Sequence, residues 1–298
     1  MEKRVGGFDV LGRIKDGSVG TIWRVKGPGG RPLALKQISA EKGGDPAQRK
    51  RFRKEFDVQK SLEHPAILRV FDYIEDPPRD GFTMEYFESE SLKLAEYALP
   101  DRVNLREFRI LRQLAEALRH VHGKGIIHKD LKPENVLIGP DGAVRLIDFS
   151  LAETRWDRWL RFGKRVDGTP IYMPPEQIRG ERCDARTDAY AFGLIAYELL
   201  AKRLPFAGKD HDAYLRAHLR QAPPPLSDHL PDVAPDLEAL VLGLLEKDPA
   251  RRPDLKAAAA TLSKWEIADP GLRRKQVKRF DAPRPVPDPF DEKAHFGF

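Results

Sequence analysis

A single cysteine, Cys183, stands in 298 residues, so no disulfide can close within the chain and a reducing, cytoplasmic setting is expected. The opening residues, Met1-Glu2-Lys3-Arg4-Val5-Gly6-Gly7, lack the apolar core of a signal peptide. The longest apolar run, Ala189 to Ala201, is interrupted by Glu198 and is too short to cross a bilayer, so no membrane segment is expected. No period of about 20–50 residues repeats, which excludes a solenoid or propeller. The net charge is only +6 and the basic residues are dispersed, so nucleic acid is not an expected partner. What is present is ordinary globular material: 41% hydrophobic, 33% charged, with 25 prolines, enough for one large domain or two lobes.

Along the chain the periodicity changes once. Phe8–Leu11 and Thr21–Val25 read as strands about a glycine-bearing turn, and Gly27-Pro28-Gly29-Gly30 reverses the chain into Pro32–Lys36. A helix is predicted over 46–62, then strands over 67–71 and 81–86, giving a small sheet with one helix. After about residue 90 the pattern is helical. Leu105, Phe108, Leu111, Ala115 and Leu118 share a face that should stop near Gly123 and Gly125. Short strands are predicted at 126–128, 136–138 and 144–147, a buried helix at 188–201, and helices at 210–221, 235–246 and 254–265. The final 30 residues carry five prolines and no apolar period, and read as a tail.

Three features carry chemistry. Gly17 and Gly20, in Ile14-Lys15-Asp16-Gly17-Ser18-Val19-Gly20-Thr21-Ile22, either cradle phosphates with bare backbone N–H groups or simply turn a hairpin. Lys36 ends an apolar strand and needs a partner if buried, with Glu55 the candidate; otherwise it is an edge lysine in water. His128-Lys129-Asp130-Leu131-Lys132-Pro133-Glu134-Asn135, followed by Asp148-Phe149, sets two carboxylates and an amide where they can serve Mg²⁺. A polar turn is the plain alternative for His-x-Asp alone; the full spaced set argues against coincidence.

These segments, with Asp148-Phe149-Ser150, Gly168-Thr169-Pro170-Ile171-Tyr172-Met173-Pro174-Pro175-Glu176, Asp188–Gly193 and Asp248–Pro253, closely resemble the signature set of the eukaryotic-like (Hanks-type) serine/threonine protein kinases. The resemblance covers roughly residues 8–265. It implies an α+β, bilobal fold, with a small antiparallel-sheet N-lobe bearing one main helix and a larger, mostly helical C-lobe. The expected bounds are 1–87 for the N-lobe and hinge, 88–266 for the C-lobe and 267–298 for the tail. It also implies ATP and Mg²⁺ as cofactors, with Mn²⁺ as a substitute, and a protein substrate. By resemblance Lys36, braced by Glu55, holds the α- and β-phosphates, while Asn135 and Asp148 hold the metal. Asp130 takes the proton of the substrate hydroxyl, and Lys132, at the serine/threonine-type position, neutralises the γ-phosphate. Thr169 lines the substrate platform. Adenine lies between Ala34 and Ile22 above and Leu137 below, near Met84 and bonded to backbone around Glu85 and Phe87. Ile14 also belongs to the ATP site, and Gly17 and Gly20 lie nearer the phosphates. Asp188, Glu176 and Arg252 are structural.

The departures bear on regulation. Lys15 replaces the first loop glycine, Ser150 the glycine after Asp-Phe, and Pro174 an alanine. Lys129 stands where many kinases place an arginine that receives an activation-loop phosphate. Between Arg155 and Gly168 there is no Ser, Thr or Tyr; Trp156, Trp159, Leu160 and Phe162 alternate with Arg158, Arg161, Lys164 and Arg165. That segment either packs on the second lobe or docks a regulator, and the tail is either a regulatory arm or a loose end. Activity without mid-loop phosphorylation is expected. The competing readings are a pseudokinase-like binding or scaffold module, which should lack one of the five central residues, and a small-molecule phosphotransferase, which should lack Lys132 with the Gly168–Glu176 segment. The run of single-domain features suggests a bacterial source.

Overall fold

The computed structural model describes residues 4–99, 103, 106–154, 157 and 169–267. The alternating first third makes one antiparallel sheet in the order β1-β2-β3-β4-β6-β5. Its strands are β1 (Arg4–Val5), β2 (Phe8–Asp16), β3 (Gly20–Lys26), β4 (Pro32–Ile38), β5 (Val70–Ile74) and β6 (Gly81–Glu85). Register sets Ile22, Lys36 and Phe82 in one row across three strands, and sets Ala34 against Met84. Side chains of paired residues share a face, so this row lines the side that covers the cleft.

Two helices follow β4. The short α1 (Ala40–Gly43), which the sequence pattern does not announce, is capped by Ser39. The main helix α2 (Pro46–Lys60) begins as helices should, with Asp45 accepting from the Ala47 N–H at 2.8 Å and Pro46 in the first turn. Its inner face carries Phe52, Glu55, Phe56, Val58 and Gln59. Phe52 and Phe56 pack on Phe82 with ring centroids 5.1 and 5.7 Å apart, and Gln59 donates to the Leu68 carbonyl at 2.8 Å. One buried carboxylate, Glu55, therefore rides on a face whose other members are apolar except for the bonded amide of Gln59.

The second sheet joins β7 (Glu90–Ser91), β8 (Val136–Ile138) and β9 (Val144–Leu146). The chain at 66–68 is stitched to β9 by Leu146 N to Ala66 O and Leu68 N to Leu146 O, at 2.8 and 3.1 Å. That pairing corrects the strand predicted over 67–71: residues 67 and 68 serve the second sheet, and β5 starts only at Val70. The strand predicted at 126–128 is also absent. Ile126 donates to Val121 at the helix end, and Ile127 makes one isolated bridge to Glu153. Two β-branched residues are strand-prone, but among the described residues no neighbouring strand extends the pairing.

The remainder is helical: α3 (Leu92–Ala98), α4 (Glu107–Gly123), α5 (Pro175–Ile178), α6 (Ala185–Ala201), α7 (His211–Arg220), α8 (Pro235–Leu244) and α9 (Leu255–Ile267). Helix α6 is buried from Thr187 to Ala201 and opens with a reciprocal Asp184/Thr187 capping box. Leu111, Leu114 and Leu118 of α4 lie in the same core as Phe192 and Tyr197 of α6 and Leu244 of α8. The molecule is thus an antiparallel-sheet lobe with one main helix joined to a helical lobe. Among the described residues no helix is long and apolar enough to cross a membrane.

Candidate active site

Lys36 projects from the centre of β4, where water is scarce and an unpaired ammonium would be costly. Helix α2 supplies the answer: Lys36 Nζ meets Glu55 Oε1 at 2.5 Å, with Glu55 only 4% exposed. Burial pushes the lysine pKa down, but the charges of Glu55 and then Asp148 outweigh it and hold the ammonium above its ordinary value. Around it, Ala34 and Met84 are buried in one apolar cluster, against which Ile22, Phe87 and Leu137 pack from both lobes. Ile14 does not join that cluster and is 40% exposed. Glu85 spends its backbone N–H on Arg69 O and its carboxylate on Arg145, at 2.9 and 2.8 Å.

The two glycines of the β2–β3 turn differ in what requires them. A Cβ on Gly20 would lie 1.9 Å from the Gln37 carbonyl oxygen, so the closeness of β3 to β4 alone demands glycine there. At Gly17 a Cβ would reach the Gly20 oxygen at an ordinary 3.4 Å.

The loop 128–135 is fixed from beneath. Asp188, at the start of α6 and 1% exposed, accepts from the backbone N–H of His128 and of Lys129, both at 2.9 Å. His122 of α4 reaches the same carboxylate at 2.7 Å, a partner that nothing in the residue pattern marks. Burial works against this charge, yet His122, His128 and the N–H donors keep the Asp188 carboxyl below its ordinary range. These bonds hold Lys129 at φ +68°, in the left-handed region that a lysine rarely adopts. His128 is fully buried, its Nε2 at 3.0 Å from the Ile147 carbonyl and its ring on Phe149.

On this footing four polar side chains converge. Lys132 Nζ lies 2.8 Å from Asp130 Oδ2 and donates to Thr169 Oγ1 at 2.9 Å. Thr169 donates to Asp130 Oδ1 at 3.3 Å. Asn135 Nδ2 donates to the Asp130 backbone carbonyl at 2.8 Å and faces its carboxylate at 3.3 Å. Burial tends to discharge Lys132, but Asp130 raises its pKa. Asp148 follows β9 at φ +66°, and although burial opposes its charge, Lys36 and Ser150 hold its carboxyl low. The donor set suits a hard divalent cation. Asn135 commits its amide N–H to Asp130 and so turns its oxygen free, and Asp148 is an ionised carboxylate. Among the described residues no cluster of three or more His, Cys, Asp or Glu could hold a metal by itself, so water or ligand oxygens would complete the shell around Asn135 and Asp148.

Two further contacts were not anticipated. Lys129 pairs with Glu153 at 2.7 Å, and Tyr172 donates to the buried Glu198 at 2.5 Å. Deeper in the helical lobe, Arg252 meets Glu176 through both forks, at 2.7 and 2.8 Å, with side-chain exposures of 0% and 3%. Its remaining N–H groups go to the carbonyls of Arg186, Glu246 and Lys247, at 2.7, 2.8 and 3.5 Å. The aromatic stretch Trp156–Phe162, apart from Asp157, and the tail lie outside the described residues.

Comparison with known proteins agrees with this geometry. The chain matches the protein kinase domain over residues 8–265. It is 36% identical over 233 residues to a probable serine/threonine-protein kinase of Streptomyces coelicolor, covering 75% of this chain and 34% of that protein. It is 35% identical over 283 residues to the serine/threonine-protein kinase pkn2 of Myxococcus xanthus, covering 90% of this chain and 34% of that protein. Against the serine/threonine-protein kinase PknB of Mycolicibacterium smegmatis the figures are 36% over 228 residues, 74% and 36%. The chain therefore spans about a third of the length of these relatives.

Proposed function

The chain belongs to the protein kinase domain family, and we propose that it transfers the γ-phosphoryl group of ATP to serine or threonine hydroxyls of protein substrates. Asp130 takes the hydroxyl proton as the oxygen attacks phosphorus in line, and the bond from phosphorus to the β,γ-bridging oxygen breaks. Thr169 keeps the Asp130 carboxylate aimed. Lys132, already bonded to both, extends its charge to the γ-phosphate. Lys36, held by Glu55, binds the α- and β-phosphates. Asn135 and Asp148 would hold Mg²⁺, which supplies charge neutralisation on the phosphates. Ala34, Ile22 and Leu137 sandwich adenine beside Met84, with backbone groups at Glu85 and Phe87 as its polar partners and Ile14 as an outer edge.

The observation that carries this reading is the sharing of one carboxylate, Asp130, by Lys132, Thr169 and Asn135. Positioning and charge, rather than covalent chemistry, are what phosphoryl transfer demands. We propose also that transfer needs no phosphate between Arg155 and Gly168, where no hydroxyl residue occurs. The single cysteine fits work in a reducing cytoplasm.

The test incubates phosphatase-treated protein with Mg²⁺, labelled ATP and a generic protein acceptor, with Asp130→Ala as control. Label in the acceptor, lost by about a thousandfold or more in the control, is the expected result. ATP binding without transfer would indicate a scaffold, and label only in a small-molecule acceptor would indicate a different phosphotransferase. Activity restored only by phosphorylated Thr154 would overturn the claim of independence.

A further inference from the structure

The stretch just after Asp148-Phe149 is tied down on two sides. On one side, Glu153 exchanges both backbone hydrogen bonds with Ile127, each at 2.9 Å, and its carboxylate holds Lys129 Nζ at 2.7 Å. This anchors it to the loop that carries Asp130. On the other side, Lys54 of α2 donates to the Ala152 carbonyl at 3.1 Å and pairs with Asp157 Oδ2 at 2.8 Å. Asp157 is itself held: its Oδ2 accepts the N–H and the hydroxyl of Thr154, both at 2.8 Å. Burial disfavours its charge, but Lys54 and Thr154 keep its carboxyl below the ordinary range.

Lys54 is the residue next to Glu55. Adjacent helical residues project in different directions, so one turn of α2 reaches inward to Lys36 and outward to this stretch at once. Exposures of 39% for Lys54 and 30% for Asp157 mean that the pair adds little to global stability. Its value is geometric, because Thr154 has already ordered the carboxylate that Lys54 meets.

We propose that Ala152, Glu153, Thr154 and Asp157 form a strap between α2 and the catalytic loop, and that Lys54 and Asp157 are positioning residues that keep Glu55 on Lys36. The chain's own carboxylates, Asp157 and Glu153, give Lys54 and Lys129 their negative partners, so no added phosphate is required to bring α2 and the loop together. Thr154 is the hydroxyl nearest this junction. A phosphate there would set new negative charge against Asp157 and loosen the strap. The proposal deepens the kinase reading and rests on it.

The experiment compares Lys54→Met, Asp157→Asn and Lys54→Arg by steady-state kinetics and by amide hydrogen exchange, with Lys54→Met repeated in a Glu55→Gln background. In the two charge-removing variants kcat should fall about 10- to 100-fold, with KM for ATP changed by about twofold or less. Exchange should quicken in residues 46–60 and in 152–154 and 157 together. Lys54→Arg should restore most of kcat, and Lys54→Met should add nothing once Glu55 is already Gln. Unchanged exchange in both stretches, or an undiminished fall in the Glu55→Gln background, would sink the strap. If the unaltered protein transfers no more label than Asp130→Ala, the kinase reading fails instead, and the exchange data alone decide the strap.

Discussion

Asp130 and Lys36 face the same cleft but are held from opposite directions. Beneath Asp130 the supports are buried. Asp188 clamps two backbone N–H groups at 1% exposure, and the Arg252–Glu176 fork has side-chain exposures of 0% and 3%. Around Lys36 the immediate partner Glu55 is buried, yet the helix that carries it is secured at its edges by pairs open to water. Arg49–Asp80 and Lys54–Asp157 leave 36% and 39% of their cations exposed. A buried pair cannot be exchanged for water, so the Asp130 half of the site is fixed in place. A half-exposed pair competes with water and salt, so the Lys36 half can be adjusted without unfolding anything. This difference suits an enzyme whose chemistry is constant and whose readiness is not.

The strongest way to break the comparison is at the fork. Glu176→Ala strands a guanidinium in the core and should cost about 3–5 kcal/mol, seen as lost soluble yield and a lower Tm. Replacing Arg252 with Met as well should not restore the loss, because the carbonyls of Arg186 and Glu246 would then lack their donor. A variant as stable as the parent would remove the fork from its place in this account.

A smaller effect is expected at Asp188. Asp188→Asn keeps the shape but loses one acceptor, and should lower kcat more than it lowers Tm. The pH dependence gives the sign. Burial pushes the Asp188 carboxyl up, but its partners bring it below the unfolded value. The unfolded chain therefore binds the extra proton first, and the stabilisation is complete above the ordinary carboxylate range and is lost as pH falls through the folded value. Denaturant midpoints measured across the acid limb should fall less steeply in Asp188→Asn than in the parent.

The smallest effect sharpens the contrast. Raising ionic strength to about 1 M shrinks the screening length to about 3 Å and should weaken Lys54–Asp157 but not Arg252–Glu176. A few-fold fall in kcat with little change in Tm is expected. Equal sensitivity of the two quantities would erase the distinction between the halves.

How much of this could be read from the residues follows a physical line. Helices α2 and α6 were legible because their apolar spacing and caps are local, and the segments around Asp130, Asp148 and Thr169 were legible because their residue types and order are distinctive. What was hidden depends on contact between distant segments. His122 is one polar residue on an amphipathic helix, and nothing nearby marks it as the companion of Asp188. Asp157 carries no mark either, because a lone carboxylate among basic and aromatic residues does not show that it supplies the negative charge a phosphate would otherwise bring. The strand predicted at 126–128 failed for the same reason in reverse: Ile126 and Ile127 favour a strand, but among the described residues only Glu153 pairs with them.

The Arg252–Glu176 fork has one more consequence, which concerns time. Its partners stand 76 positions apart, and Arg252 also reaches 66 positions back to Arg186. No early local structure can assemble such a junction, since the closure of so long a loop must first be offset by the packing of the lobe around it. The fork is thus a late-forming contact, and late contacts act on the rate of unfolding rather than on the rate of folding. Chains without it would still collapse promptly, and would simply not last.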